Sequence, residues 1–422
     1  VRERAAQDHA LRRCGKEHAV TRIELDPSQQ RARELICGER FACVTGGAGV
    51  GKTTTLKSAL DDLDARGEQY LLASPTGKAA KRMTEATGRP ARTIHRLLGW
   101  QSGGFTHGKD NPLPTSLVVI DEASMLDIEL AASLFEAIDP RATRLVLMGD
   151  ANQLPPVGPG CVFGDLVASG SVPVATLTKL HRAAEQSWMN VAAKAVLERE
   201  MPDIETERKD FRFVRVDEAT EILPKLAELV TFTIPREIDE EAQILIPQRT
   251  GPAGIDKANL ALQMALNPPR PDEPWIKQGD EQLRINDRVI MKKNNYQLEV
   301  FNGEVGEIVD IRSGKALVAF PDRPPVEYSL EQARALRLAY GLTVHSVQGS
   351  EFPWVVFVCH STHTHMLTPQ LIYTALTRGK QGVILVGNEK GLRQGLRADN
   401  PPKRNTGLVE RLRGEFGDNA TV

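Results

Sequence analysis

The sequence predicts an α/β protein of two parallel-sheet domains, the first carrying a short glycine- and proline-rich insertion and the second a small all-β unit. Three observations carry that prediction. Unbroken apolar runs alternate with helical stretches, the rhythm of strands buried on both faces and joined by crossover helices. A glycine-rich loop follows the first such run and opens a helix. Between residues 276 and 335 the texture changes to short alternating strands punctuated by Pro321, Pro324 and Pro325.

Length and composition set the frame. A chain of 422 residues can form two or more domains, each burying its own core. Hydrophobic residues make up 41% and charged residues 26%. No apolar run approaches the roughly 18 residues that cross a bilayer, so a soluble chain with no membrane partner is expected. Cys14, Cys37, Cys43, Cys161 and Cys359 are scattered without a C-x-x-C pair, which argues against a disulfide framework and predicts a reducing, cytoplasmic setting. Residues 1–24 read as a polar helical lead-in; because the first residue is Val and nothing resembles a signal peptide, an upstream region is expected. The net charge of −2 argues against a polybasic tail, so any grip on nucleic acid must be a local groove.

The elements follow in order. Residues 41–45, 70–74, 117–120 and 145–148 read as buried strands of a first sheet, and residues 242–246, 355–359 and 383–386 as those of a second. Residues 99–116 gather Gly103, Gly104, Gly108, Pro112 and Pro114, the signature of either a loop or a projecting β-hairpin. The all-β unit spans residues 276–335, with a turn at Phe301-Asn302-Gly303.

Gly46-Gly47-Ala48-Gly49-Val50-Gly51-Lys52-Thr53 fits G-x-x-x-x-G-K-[ST] between a strand and a helix, the context the motif requires. Its backbone N–H groups and the helix N-terminus suit phosphate oxygens, so these residues and Thr54 form the expected ATP-binding set. Lys52 would reach the β- and γ-phosphates, and Thr53 would hold Mg²⁺. Val118-Val119-Ile120 ends in Asp121 and Glu122: Asp121 is the second expected Mg²⁺ ligand, and Glu122 is placed to activate the attacking water. Gln153 follows the next strand at the carboxyl edge of the sheet, where it either senses the γ-phosphate or belongs to a polar loop stiffened by Pro155 and Pro156. Phosphoryl transfer needs cations against developing charge, and Arg182 and Arg378 are the candidates. On composition alone each is equally a solvated surface charge.

For nucleic acid, Lys78-Ala79-Ala80-Lys81-Arg82 and the segment 89–96 are basic and flanked by hydroxyls and His95; as bare charge runs they equally suit solvated helix faces. Aromatics are only 5% of the chain, so grip through phosphates and sugars is expected rather than extensive stacking. Cys359, His360, His363 and His365 are too crowded for standard metal-ligand spacing and read as structural.

Taken together, these motifs resemble superfamily 1 DNA helicases, and within them the RecD-like group that moves 5′ to 3′. Leu25-Asp26-Pro27-Ser28-Gln29 resembles the Q motif, which implies adenine recognition by Gln29. Ser74-Pro75-Thr76-Gly77-Lys78 and Thr93-Ile94-His95-Arg96 resemble DNA-contacting motifs, implying contacts from Pro75, Thr76, Lys78, Thr93, His95 and Arg96. Asp121-Glu122-Ala123-Ser124 and Gly149-Asp150 through Gln153-Leu154-Pro155-Pro156-Val157 match motifs II and III, Arg182 takes the arginine-finger place of motif IV, and Tyr373-Thr374-Ala375-Leu376-Thr377-Arg378 resembles motif VI, which implies a γ-phosphate contact from Arg378. Thr343-Val344-His345-Ser346-Val347-Gln348-Gly349-Ser350-Glu351 resembles motif V, matching at Thr343, His345, Gln348 and Glu351, with Thr343, His345 and Gln348 implied on DNA; Ser346 stands where relatives often carry lysine. Two stretches point to the RecD-like group itself. Ile246-Pro247-Gln248-Arg249-Thr250 runs on to Leu266-Asn267-Pro268 and implies a DNA contact from Arg249, and Asp287-Arg288-Val289 runs on to Gly306.

The resemblance implies two RecA-like P-loop NTPase domains: a first at 25–185 with a β-hairpin pin at 99–116, a second at 186–275 and 336–400, a Src-homology-3-like barrel at 276–335, and a tail at 401–422. It also implies an ATP- and Mg²⁺-dependent helicase acting on single-stranded DNA and single-strand/duplex junctions in repair or recombination. A translocase without unwinding, an RNA helicase and an ATP-gated subunit of a repair complex remain as alternatives.

Overall fold

The computed structural model describes residues 24–101, 104–179, 187–238, 241–293, 295, 298, 300, 302–321, 323–363, 365–398 and 404–414. The expected lead-in helix and Arg182 lie outside the described residues.

The first sheet is parallel throughout, with strands in the spatial order Ala91–Thr93, Tyr70–Ser74, Leu117–Ile120, Arg144–Gly149, Phe41–Gly46 and Val174–Leu177. Its central strands are buried on both faces: Val44, Val119 and Val146 pack on one side, and Cys43, Val118 and Leu147 on the other. A second parallel sheet runs Gly341–Leu342, Ala242–Leu245, Phe352–Cys359, Gly379–Gly387 and Phe211–Arg215. Four strands escape an apolar-run reading because they are short or marginal. Ala91–Thr93 and Phe211–Arg215 are sheet edges, where charge is tolerated: Arg212 pairs with Glu237 and Arg215 with Glu205. Val174–Leu177 is the other edge of the first sheet, and Gly341–Leu342 is two residues long.

The change of texture after residue 275 is a separate antiparallel structure. Five strands pair in the order Arg323–Tyr328, Lys315–Phe320, Val305–Arg312, Arg288–Met291 and Leu336–Leu338. Ile308, Val318 and Tyr328 inside it share one apolar core with Ile244, Val356 and Ile384 of the second sheet. Asp287 seals the junction, fully buried: it accepts from Asn267 Nδ2 at 2.8 Å, from the Tyr340 hydroxyl at 2.8 Å and from the Arg284 N–H at 2.7 Å. A buried carboxylate with this many donors is stabilised in place. Asn267 and Asp287 come from the two stretches that single out the RecD-like group, and the fold makes them one hydrogen-bonded node.

Residues 99–116 begin as a hairpin. Trp100–Gln101 pairs antiparallel with Gly104–Phe105, and the return to the body is fixed by Thr106 Oγ1 and His107 N–H donating to the carbonyls of Gly99 and Leu98. Near the far end of the chain, residues 404–414 return to the first sheet. Leu408 and Leu412 pack on its apolar core, and Arg404 donates to the carbonyls of Pro156 and Gly160, both at 2.7 Å.

Candidate nucleotide site and nucleic-acid interface

The phosphate loop turns between the strand Phe41–Gly46 and the helix Lys52–Ala65. Gly51 stands at the helix N-cap with φ +80°, a conformation side chains resist, and the helix enters with its first amides open toward the loop. Lys52 Nζ donates to the Gly46 and Gly47 carbonyls at 2.6 and 2.9 Å, an ammonium folded back on its own loop. Gln29, 1% exposed, closes a capping box with Asp26 and donates to the Val50 carbonyl at 3.2 Å, so its amide braces the loop from behind.

Gly47, Ala48, Gly49, Gly51, Lys52, Thr53 and Thr54 line one wall of a cavity of about 370 Å³. Asp121, Glu122 and Gln153 line it from the neighbouring strand ends, and Arg82, Glu351, Thr377 and Arg378 close the far side. Glu122 has φ +54°, a left-handed conformation costly for a non-glycine residue and typical of a backbone held for function. Its N–H donates to Asp121 Oδ1 at 2.8 Å. Burial, and then the Glu122 charge beside it, push the Asp121 carboxyl above the usual carboxylate range. Among the described residues no ammonium or guanidinium forms an ion pair with either carboxylate. Two adjacent carboxylates without an ion-paired cation among the described residues, lining one cavity with Thr53, are the hard oxygen donors that a divalent cation takes, so these residues fit magnesium.

Arg378 is 3% exposed, and its guanidinium donates to the carbonyls of Thr374 and Ser350, each at 3.2 Å. No carboxylate of the described residues forms an ion pair with it, although it lines the same cavity as Lys52. The two sheets meet around it through a continuous hydrogen-bonded seam. Tyr373 donates to Asp150 Oδ2 at 2.7 Å, the Leu154 N–H donates to Thr374 Oγ1 at 3.0 Å, and Gln348 Nε2 donates to the Leu154 carbonyl at 3.1 Å. Gln153 Nε2 reaches the same Asp150 oxygen at 3.3 Å. The Gln348 amide is thus held inside the seam, 5% exposed. Sequence reading gave Tyr373, Asp150 and Glu351 no role of their own, although all three lie in stretches that resemble the family's motifs, and it read Arg82 as part of a basic stretch for nucleic acid.

Thr76 caps the helix Gly77–Thr87, accepting from Ala79 N–H, and Thr93 caps Ile94–Leu97. Pro75, immediately before Thr76, is half-buried. Lys78 lies over the Phe352 ring at 5.0 Å, and burial, followed by the Arg82 charge, lowers its pKa to about 8. His95, Trp100 and Phe105 form an aromatic cluster, with Trp100 and Phe105 centroids 4.8 Å apart and Trp100 50% exposed. Thr343 and Ser346 hydroxyls bond to each other at 3.1 Å beside the half-buried His345. Arg96 is exposed, and so is Arg249, which lies 3.9 Å from Asp256. In the cysteine and histidine stretch, the His360 ring is occupied by Asp217 O at 3.0 Å and Thr362 Oγ1 at 2.9 Å, and Cys359 is buried. No helix among the described residues is long and apolar enough to cross a membrane.

Comparison with known proteins gives this architecture its family. Residues 24–217 match the AAA domain, 258–320 the SH3 domain of ATP-dependent RecD-like DNA helicases, and 338–386 the UvrD-like helicase C-terminal domain. The RecBCD enzyme subunit RecD of Mycolicibacterium smegmatis is 32% identical over 91% of this chain and 74% of its own length. The chain belongs to the RecD-like helicase family. The ATP-dependent RecD2 DNA helicase of Deinococcus radiodurans is 36% identical over 92% of this RecD-like chain, which spans 52% of that protein. A crystal structure of the Bacteroides Pif1 helicase in complex with ADP-AlF3 and single-stranded DNA superposes with a TM-score of 0.56, covering 89% of this chain and 95% of that one at 19% identity. That likeness shows the two-domain RecA-like fold shared by the two chains.

Proposed function

We propose that this RecD-like chain is an ATP-driven DNA motor that moves 5′ to 3′ along single-stranded DNA and opens duplex at junctions, in cytoplasmic repair or recombination. The observation that carries this reading is Arg378: a buried guanidinium that forms no ion pair with a carboxylate of the described residues and lines the same cavity as the phosphate loop of the other domain. A buried cation in that state is costly unless an anion arrives, and the terminal phosphate of ATP is the anion the opposite wall is built for.

Lys52 leaves the Gly46 and Gly47 carbonyls to meet the β- and γ-phosphates, while the amides from Gly47 to Thr54 cradle the chain of phosphates. Thr53 and Asp121 would hold magnesium, which when bound offsets phosphate charge. Glu122 orients and deprotonates the attacking water, Gln153 senses the γ-phosphate, and Arg378, aided by Arg182, stabilises the transferring group. Gln29 belongs to the adenine end of the site. Because Tyr373, Thr374 and Gln348 come from the second domain and bond loops of the first, loss of the γ-phosphate from beside Arg378 loosens the seam and lets the domains part. Pro75, Thr76, Lys78, Thr93, His95, Arg96, Arg249, Thr343, His345 and Gln348 supply the grip on DNA, and the hairpin at Trp100 splits the duplex. The RecA-like domains, barrel and tail divide as the family pattern divides them, and the direction of travel follows that pattern too.

Unwinding of duplexes with 5′ or 3′ single-stranded tails tests the proposal. ATP-dependent opening of the 5′-tailed substrate alone is expected. Opening from the 3′ tail alone overturns the direction. DNA-stimulated hydrolysis without opening of either leaves a translocase or an ATP-gated subunit, and greater stimulation by RNA makes the chain an RNA motor.

A further inference from the structure

Tyr373 belongs to the helix Pro369–Leu376 of the second domain, yet its hydroxyl sits in the phosphate loop of the first. A Cβ on Gly47 would stand 2.8 Å from that oxygen, so any side chain at residue 47 would displace the hydroxyl from its place against the loop. The Ala48 N–H faces the same oxygen. The hydroxyl proton goes to Asp150 Oδ2 at 2.7 Å, in a pair whose members are 4% and 1% exposed. Asp150 also accepts from the Asn152 N–H at 3.0 Å and from Gln153 Nε2 at 3.3 Å, so the tyrosine meets a carboxylate held by the motif III loop itself.

The position identifies the end of the nucleotide involved. The Lys52 ammonium rests on Gly46 and Gly47, the second of which the Tyr373 hydroxyl also adjoins, and this ammonium serves the β- and γ-phosphates once ATP is present. Thr374, the next residue of the tyrosine's helix, holds Arg378 Nε through its carbonyl at 3.2 Å, in the turn that follows the helix. The hydroxyl is therefore carried on the helix to which the guanidinium is hydrogen-bonded, the one against the loop and the other lining the cavity.

We propose that Tyr373 is a positioning residue for hydrolysis: by bonding Asp150 across the cleft, against Gly47 and Ala48, its hydroxyl seats Arg378 at the terminal phosphate. This inference rests on the ATP-driven reading above. The hydroxyl is a latch that is neither acid nor nucleophile; without it the arginine is still present but no longer held in register.

Steady-state ATP hydrolysis with saturating single-stranded DNA, measured on the full chain and on Tyr373→Phe, Asp150→Asn and the double variant, tests this. Tyr373→Phe removes one oxygen and keeps the ring. Each single substitution is expected to lower kcat about tenfold, the rate equivalent of one hydrogen bond to a charged group, with KM for ATP within about twofold. The double variant should be no slower than the slower single, because both remove the same bond. A wild-type kcat in Tyr373→Phe, a loss expressed wholly in KM, or losses that multiply in the double variant each overturn the proposal. Should Tyr373→Phe not fold, Asp150→Asn alone carries the test, and an unchanged kcat there overturns it. Absence of DNA-stimulated hydrolysis in the wild-type chain is the separate failure of the ATP-driven reading itself.

Discussion

Arg82 of the first domain and Glu351 of the second form an ion pair across the cleft at 2.6 Å, beside the buried Arg378. Arg82 also donates to the Gly349 carbonyl at 3.1 Å, and Lys380 approaches Glu351 from its own domain at 3.6 Å. Burial raises the Glu351 carboxyl, but Arg82, Arg378 and Lys380 together hold it below its ordinary value. The pair is a third of the way exposed, so it acts as a register pin more than a source of stability. A double-mutant cycle with Arg82→Ala and Glu351→Ala, read in DNA-stimulated kcat, is expected to return a coupling of about 0.5–1 kcal/mol. A coupling near zero would mean that the contact plays no part in closing the cleft.

Glu122→Gln keeps the shape of the strained carboxylate position but removes the base. ATP and DNA binding should stay within a few-fold of wild type while hydrolysis falls by about two to four orders of magnitude. Equilibrium binding of a fluorescent nucleotide alongside phosphate release separates the two effects. Undiminished turnover would remove Glu122 from the mechanism.

Lys78 carries its charge only at pH values well below the ordinary lysine pKa. Burial is the main cause, Arg82 and Arg288 act in the same direction, Glu241 and Glu304 oppose them, and the pKa settles at about 8. Only the charged form attracts phosphate, so this contribution to single-stranded DNA affinity is complete well below that pH and is lost as pH rises through it. The dissociation constant is expected to rise a few-fold between about pH 7 and 9 in the wild type and to stay flat in Lys78→Arg. Identical pH profiles for the two would show that Lys78 does not touch the strand.

The aromatic cluster links the hairpin to the helix Ile94–Leu97 through His95. Trp100→Ala removes the exposed ring at the hairpin base. Duplex opening should slow several-fold while DNA-stimulated ATP hydrolysis stays within about twofold, since base-pair stacking of about 1.4 kcal/mol per step is the load that the ring would meet. Equal losses in both assays would make the ring a packing element of the motor instead.

Arg404 binds the backbone of the motif III loop from the end of the chain, at the carbonyls of Pro156, Gly158 and Gly160. Arg404→Ala is expected to cost about 2 kcal/mol, measured in urea as an earlier first transition, because charged donors leave three acceptors behind. An unshifted transition would show that the returning segment contributes no stability to the first domain.

The chemistry of the phosphate loop, the Asp121–Glu122 pair and the alternation of strands were determined by local sequence, because each depends on residues close together in the chain: a glycine that accepts φ +80° at Gly51, a strand apolar on both faces before Asp121. Charged edges such as Phe211–Arg215 were illegible for the opposite reason, since nothing local distinguishes an edge strand from a polar loop. The tertiary structure alone decided who meets whom across the cleft. Tyr373 and Asp150 are separated by 223 residues and Arg82 and Gly349 by 267, and no periodicity encodes such pairings. Packing fixed them, by bringing one domain's loops against the other's helix so that donors of each meet carboxylates and carbonyls of the other.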